Sequence, residues 1–329
     1  MLKNRILFSL CLLIILGCPD RDWDRPGDEN APLDCSTEVT LWGVVYSIEE
    51  TNALNLDHVQ LNDTIPPEIG CLTNLTSLNL QATQLTGEIP SEIGNLTNLV
   101  NLSLPYNGLT GEIPPEIGSL NNLAELLLDY NQLTLIPLEI GSLSNLTKLD
   151  LTSNPLTGTI PSEIGDLSNL TYLSFSGLEE GNDLTGPIPP EIWNLTNLTD
   201  LIFFNNDLTG SIPPEVENLT NLTFLTLYGN NLTGTLPQEI GNLTNLRHLS
   251  VGSNELTGSI PTEIGDLTEL YRLGLGNNQF SGQVPESICD LDINFDNDYY
   301  FYIYNNQLCP PYPYCIQEYV GVQDTTNCD

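Results

Sequence analysis

One phrase recurs ten times along this chain, first as Ile65-Pro66-Pro67-Glu68-Ile69-Gly70 and last as Val284-Pro285-Glu286-Ser287-Ile288-Cys289. Its copies begin at residues 65, 89, 113, 136, 160, 188, 212, 236, 260 and 284. Seven of the nine intervals are 24 residues, one is 23 and one is 28. A unit this short cannot bury its own apolar residues. A fixed period in this range therefore predicts supersecondary units stacked into a solenoid, each covering the next. The function of such a chain has to be sought on the surface that the stack presents.

The unit from Leu72 to Gly94 shows how this works. Apolar residues fall at Leu72, Leu75, Leu78, Leu80, Leu85, Ile89 and Ile93. Leu78 and Leu80 alternate with polar neighbours, the period-two pattern of a short half-buried strand. The later apolar residues follow no helical stripe, and Pro90 forbids a regular helix across them. Each unit thus reads as a strand, a turn and an irregular or short helical return. Three residues past the second strand leucine, Asn recurs at 107, 131, 154, 206, 230, 254 and 278. An amide at that place can bond backbone groups of adjoining turns, so these residues read as structural.

The phrase L-x-x-L-x-L-x-x-N-x-L-T-G-x-I-P, as it stands from Leu99 to Pro114, resembles the plant-type leucine-rich repeat. The resemblance extends over roughly residues 52–310. That family includes receptor-kinase ectodomains and polygalacturonase inhibitors, which are binding proteins. The resemblance implies an α/β solenoid, a right-handed superhelix with a parallel concave β-sheet and an irregular or short helical convex side. It also implies an Asn ladder beneath the sheet. Nothing in the chain resembles a kinase. With Leu41-Trp42-Gly43 ahead of the repeats, the whole resembles leucine-rich repeat surface lipoproteins of environmental bacteria.

Residues 1–17 carry Lys3 and Arg5 and then an apolar run from Ile6 to Leu16, too short for a membrane span and suited to a secretory signal. Ile15-Leu16-Gly17-Cys18 resembles a lipobox, which makes Cys18 the expected lipidated N-terminus, although Leu16 is larger than the residue usual there. The protein is therefore expected to be exported and lipid-anchored at a bacterial cell envelope or surface, with plain secretion as the alternative. Residues 18–34, rich in Pro and acidic side chains, read as a disordered tether. Residues 35–64 read as an N-terminal cap with the first strand, 65–288 as repeats, and 289–329 as a stapled C-terminal cap.

Cysteine usage fits an oxidising compartment. Once Cys11 leaves with the signal and Cys18 takes lipid, Cys35, Cys71, Cys289, Cys309, Cys315 and Cys328 remain, none of them between 71 and 289. A solenoid exposes apolar residues at both ends, and disulfides there would hold caps in place. Proximity in sequence suggests Cys35–Cys71, Cys289–Cys309 and Cys315–Cys328, while confinement to the two ends still leaves three pairings for the last four. Zinc is a poor reading of the same residues, because no two close Cys pairs occur and His58 and His248 are far off. No metal or cofactor is expected.

The formal net charge of −36 argues against nucleic acid and anionic headgroups as partners. Glu68, Glu92, Glu116, Glu139, Glu163, Glu191, Glu215, Glu239 and Glu263 repeat at one place per unit and read as a solvated face rather than a cation site. The many Asn-Leu-Thr triplets follow from the repeat and read as unmodified. Catalysis has little to work with: two distant histidines, no G-x-S-x-G, and no H-E-x-x-H. Paired Glu179 and Glu180 fall in the one lengthened unit and read as an acidic loop. The chain reads as a non-enzyme.

Binding has a better candidate. Strand residues flanking the buried leucines face outward, and in most units they are small and polar. In three successive units they are Tyr172, Ile202, Phe204, Phe224 and Tyr228, with Leu127 and Tyr130 upstream. Strand alternation gives no structural reason for apolar bulk there, so these residues are expected to form one patch. Lys148 on one side and His248 and Arg272 on the other would supply its charged rim. The expected function is recognition of a protein or glycan ligand through the concave face by a monomeric, surface-tethered protein. The alternatives are an inhibitor of a secreted hydrolase and a structural or adhesive surface protein.

Overall fold

A computed structural model describes residues 35–177 and 181–328. The expected signal (1–17), the tether (18–34) with its Cys18, and Glu179 and Glu180 all lie outside the described residues.

The repeat builds a solenoid around one parallel sheet of eleven strands, from Ala53–Asn55 at the N-terminal edge to Phe301–Tyr302 at the other. Consecutive strands pair in sequence order and in an unchanging register. Leu54, Leu78, Leu102, Leu126, Leu149, Leu173, Leu201, Leu225, Leu249, Leu273 and Phe301 lie side by side across it. One-residue slippage would turn every one of them to solvent, so their burial fixes the register. In the specimen unit, Leu72, Leu75, Leu78, Leu80, Leu85 and Ile93 are all 0% exposed. All of these leucines belong to the core.

The return leg of each unit is a five-residue 3₁₀ helix, as in Ser91–Asn95, preceded by the proline of the repeated phrase. Proline fixes φ near the extended value of Pro90 (φ −68°) and needs no amide partner, which suits the residue before the first turn. The glycine that follows is set by close packing. A Cβ on Gly94 would stand 2.6 Å from the Glu116 carbonyl oxygen of the next unit.

The structure adds an element that the sequence pattern does not reveal. The Thr-Gly segments after the asparagines pair into three further parallel sheets of three strands each, such as Thr157–Thr159, Asp183–Pro187 and Asp207–Thr209. Their glycines take positive φ, as at Gly186 (+76°), which breaks the alternation that marks a strand.

The asparagine ladder forms. Asn230 Nδ2 donates to the Phe203 and Leu227 carbonyls at 2.8 and 3.0 Å, while its Oδ1 accepts from the Leu208 amide at 3.1 Å. In the lengthened unit the role passes to Asn182, which bonds the Phe175 carbonyl and the Leu156 amide. In the first full unit Thr83 takes the place, its hydroxyl donating to the Leu80 carbonyl at 2.7 Å.

An antiparallel hairpin, Glu38–Leu41 with Val44–Ser47, caps the N-terminal end, and Cys35–Cys71 ties it to the first helical turn. At the C-terminal end the pairing is Cys289–Cys315 and Cys309–Cys328, which corrects the pairing suggested by sequence proximity. Cys309 ends a strand paired with Gln279–Gln283, whereas Cys289 lies in the following helical turn, Glu286–Asp290. Cys315 comes 26 residues after Cys289, about one repeat on, and so reaches the equivalent place in the next turn of the stack.

Candidate functional site

The constant register arranges the outward side chains of the sheet in rows. One row reads Glu125, Lys148, Tyr172, Asp200, Phe224, His248 and Arg272. The second reads Leu127, Asp150, Ser174, Ile202, Thr226, Ser250, Gly274 and Tyr302. Two residues further along each strand lie Phe204, Tyr228, Gly252, Gly276 and Tyr304.

These rows enclose a groove of ≈ 550 Å³ towards the C-terminal end of the sheet. Ile202, Phe204, Phe224, Tyr228, His248 and Arg272 line it, all of them expected binding residues. Phe204 and Phe224 are half-buried, while Phe203 between the outward positions turns inward and stacks on Phe175 with centroids 5.2 Å apart. A larger groove of ≈ 790 Å³ runs along another edge past Pro213, Pro237 and Pro261. Its lining repeats the Ser/Thr-Ile/Leu-Pro-Glu consensus, so nothing sets those units apart from the others.

Tyr172 and Lys148 are not among the residues that line the groove, although Tyr172 lies on the strand next to that of Ile202. Asp200 lies between Tyr172 and Phe224 in the row and interrupts the apolar run. Lys148 Nζ sits 4.7 Å over the Tyr172 ring, and the Tyr172 hydroxyl donates to Asp150 Oδ2 at 3.3 Å. Burial, with Asp150 beside it, pushes the Tyr172 phenol well above its usual range. Burial and then Asp150 raise the Asp129 carboxyl to about 6. Upstream, Tyr106 and Tyr130 stack at 4.3 Å.

The far wall of the groove comes from the C-terminal cap: Tyr302, Tyr304 and Asp298. Tyr302 is 8% exposed and lies flat over a floor of glycines. A Cβ on Gly274 would fall 2.1 Å from its Cζ, one on Gly252 2.9 Å from Cε2, and one on Gly276 3.1 Å from Cδ2. Its hydroxyl meets Ser250 Oγ at 2.6 Å. Burial raises the Tyr302 phenol and the Ser250 bond partly offsets it. Sequence reasoning missed this residue by treating Tyr299–Tyr304 only as a closing strand. The signal was present: Tyr302 alternates with Phe301 and Ile303, and Gly274 and Gly276 stand opposite in the preceding unit.

His248 sits between Phe224 and Arg272. It meets the Phe224 ring edge-on, with centroids 5.8 Å apart at 74°. Burial first, and then the Arg272 charge, lower its pKa to about 4, so it is neutral at neutral pH. The groove can therefore offer aromatic faces, small hydroxyls and one permanent cation.

Known proteins share this architecture. A leucine-rich repeat region model matches residues 161–291, and a single leucine-rich repeat model matches 74–96, 98–120 and 145–167. Among solved structures, the chain is similar to the plant peptide hormone receptor RGFR1 in complex with RGF2: 34% identity, TM-score 0.73, over 79% of this chain and 41% of that one. It is likewise similar to the Arabidopsis receptor kinase HAESA in complex with the peptide hormone IDA and the co-receptor SERK1: 34% identity, TM-score 0.71, over 78% and 42%. A plant ice-binding protein matches at 28% identity and TM-score 0.58, over 69% of this chain and 72% of that one. The chain spans about two-fifths of the length of the two receptor chains. No curated protein matches the sequence.

Proposed function

The chain belongs to the plant-type leucine-rich repeat family, and from that premise we propose that it is a surface-tethered binding protein whose sheet face recognises a protein ligand. One observation carries this reading. Aromatic and aliphatic side chains with no partner in the core gather on a sheet face whose other positions are mostly small and polar, and they enclose a groove of ≈ 550 Å³. Exposed apolar surface of this kind marks interaction sites, and aromatic anchors carry much of the binding energy where interfaces have been dissected. Two neighbours are complexes with peptide hormones, which favours a protein segment over a glycan as the occupant.

We read the groove as a scaffold for recognition, the usual role of a leucine-rich repeat fold. The groove's neutral His248 has no carboxylate partner and no nucleophile at hydrogen-bond distance among the described residues. Export agrees with the three disulfides, which persist in oxidising compartments. Tethering through lipidated Cys18 belongs to the same proposal, and membrane fractionation of Cys18→Ser tests it.

The groove is tested by Phe224→Ala and Phe204→Ala. Each is expected to weaken ligand binding by about 2 kcal/mol while the melting temperature barely changes. A sharp fall in melting temperature with binding intact would show that these rings serve the core. Pull-downs against secreted hydrolases belong in the same experiment, since capture of one would specify the inhibitor alternative.

A further inference from the structure

Acidic side chains outnumber Lys and Arg by 43 to 7, yet Arg272, like Lys148, lies against a tyrosine ring and makes no ion pair among the described residues. Among the described residues only two charge pairs form, His58–Asp57 and Arg247–Glu269, and neither includes Arg272. Asp298 lines the same groove and still does not pair with it. The guanidinium lies instead against the Tyr299 ring, 4.2 Å from its centroid. The Arg272 Nε is buried without an acceptor, and so is Nε2 of the adjacent His248.

A half-buried guanidinium has given up part of its hydration, which an ion partner with good geometry normally offsets. Here an aromatic face orients the group and leaves it without a counter-ion, at one end of a groove in which His248 stands between it and Phe224, with Ile202 and Phe204 on the strand beyond. A planar fork held in this way fits a carboxylate, which can accept two parallel N–H bonds. We propose that the groove receives a protein segment bearing a single carboxylate, which pairs with Arg272, beside an apolar body laid along Phe224, Phe204 and Ile202. The proposal rests on the reading of this groove as the binding site.

Single charge and carboxylate chemistry both follow from the surroundings. His248 is neutral at neutral pH, so among the described residues Arg272 is the only full cation lining the groove. Asp298 on the rim, Asp200 in the row and the net charge of −36 all oppose a second negative charge. A phosphate monoester, largely dianionic at neutral pH, would find one cation and several carboxylates.

Three small probes separate the possibilities on the whole chain at neutral pH and low salt: 3-phenylpropionate, its uncharged amide 3-phenylpropionamide, and phenyl phosphate. Binding is followed by the NMR shifts of the Phe204, Phe224 and Tyr302 rings. The acid is expected to bind about tenfold tighter than the amide, in line with a charge-assisted bidentate pair. That advantage should disappear in Arg272→Gln and shrink in Arg272→Lys, which keeps the charge but loses the fork. Phenyl phosphate should bind less tightly than the acid.

Equal binding of acid and amide would overturn the proposal and leave the groove standing as a plain apolar site. Persistence of the acid's advantage in Arg272→Gln would overturn it as well, and so would tighter binding of phenyl phosphate. If no probe moves the three rings, the groove reading fails and the proposal falls with it.

Discussion

Tyr302 can lie across the sheet only because the residue beneath it has no side chain, and this sets up a strong test. In Gly274→Ala the new Cβ would occupy the place of the Tyr302 Cζ and Oη, both 2.1 Å away. The backbone of Gly274 is an ordinary strand residue outside the positive-φ set, so alanine meets no conformational penalty of its own. All the damage must pass through the ring. Expelling it re-exposes an aromatic side chain now 8% exposed, a loss of roughly 2 kcal/mol. It also breaks the Ser250–Tyr302 hydrogen bond, a further loss of about 1 kcal/mol. Urea unfolding should therefore show Gly274→Ala destabilised by about 3 kcal/mol, with altered near-ultraviolet circular dichroism from the displaced tyrosine. In a Tyr302→Ala background the same alanine should cost less than about 0.5 kcal/mol, because the obstacle is gone. An equal cost in both backgrounds would show that Tyr302 is not what Gly274 accommodates, and the account of the groove's far wall would be wrong.

Other consequences can be measured as directly. Asn230→Ala strands the Leu208 amide and the Phe203 and Leu227 carbonyls, and should destabilise the stack by about 3 kcal/mol in denaturant unfolding. The lowered pKa of His248, about 4 against 6.5, means that the unfolded chain takes up its proton first; its contribution is intact above 6.5 and is lost as pH falls towards 4. His248→Gln should accordingly remove about 2–3 kcal/mol of acid destabilisation across that window, read from melts at stepped pH. Asp129 runs the other way: its folded pKa is raised from 3.8 to about 6, so its stabilising contribution is complete below 3.8 and is lost as pH rises through 6. Asp129→Asn should then stabilise the protein at neutral pH by about 1 kcal/mol, the discount from the full shift reflecting solvent screening at this partly exposed site.

The parts of the fold that repeat were legible in the sequence. Leu54 to Leu273 recur at the period of the stack and alternate with polar neighbours, so strand, register and core followed from spacing alone. Asn182 escaped because the lengthened unit moves it four residues past the expected place, though it makes the same bonds. The three minor sheets escaped because positive-φ glycines such as Gly186 break period-two patterning. The C-terminal disulfides were misjudged on sequence proximity, when the repeat period itself sets Cys315 against Cys289. At the site, Ile202, Phe204, Phe224 and Tyr228 stood out as bulk where small residues prevail. Tyr302 did not, since recognising it requires knowing that the closing strand lies beside Gly274. Tyr172 was grouped with the others by nearness in the strand order, and Asp200 stands between it and Phe224 in their row.

The central claim is that the ligand sits in the sheet-face groove and nowhere else on the solenoid. Site-specific photo-crosslinking tests it most directly, with a benzophenone side chain placed in turn at Phe204, at Tyr228, at Glu239 on the helical return, and at Leu138 on the exposed return of the shortened unit. The bound species would be identified by mass spectrometry after irradiation in the native setting. The account predicts one and the same adduct from Phe204 and Tyr228, displaced by excess unlabelled protein, and none from Glu239 or Leu138. An adduct confined to Glu239 or Leu138, with the two groove positions silent, would contradict it.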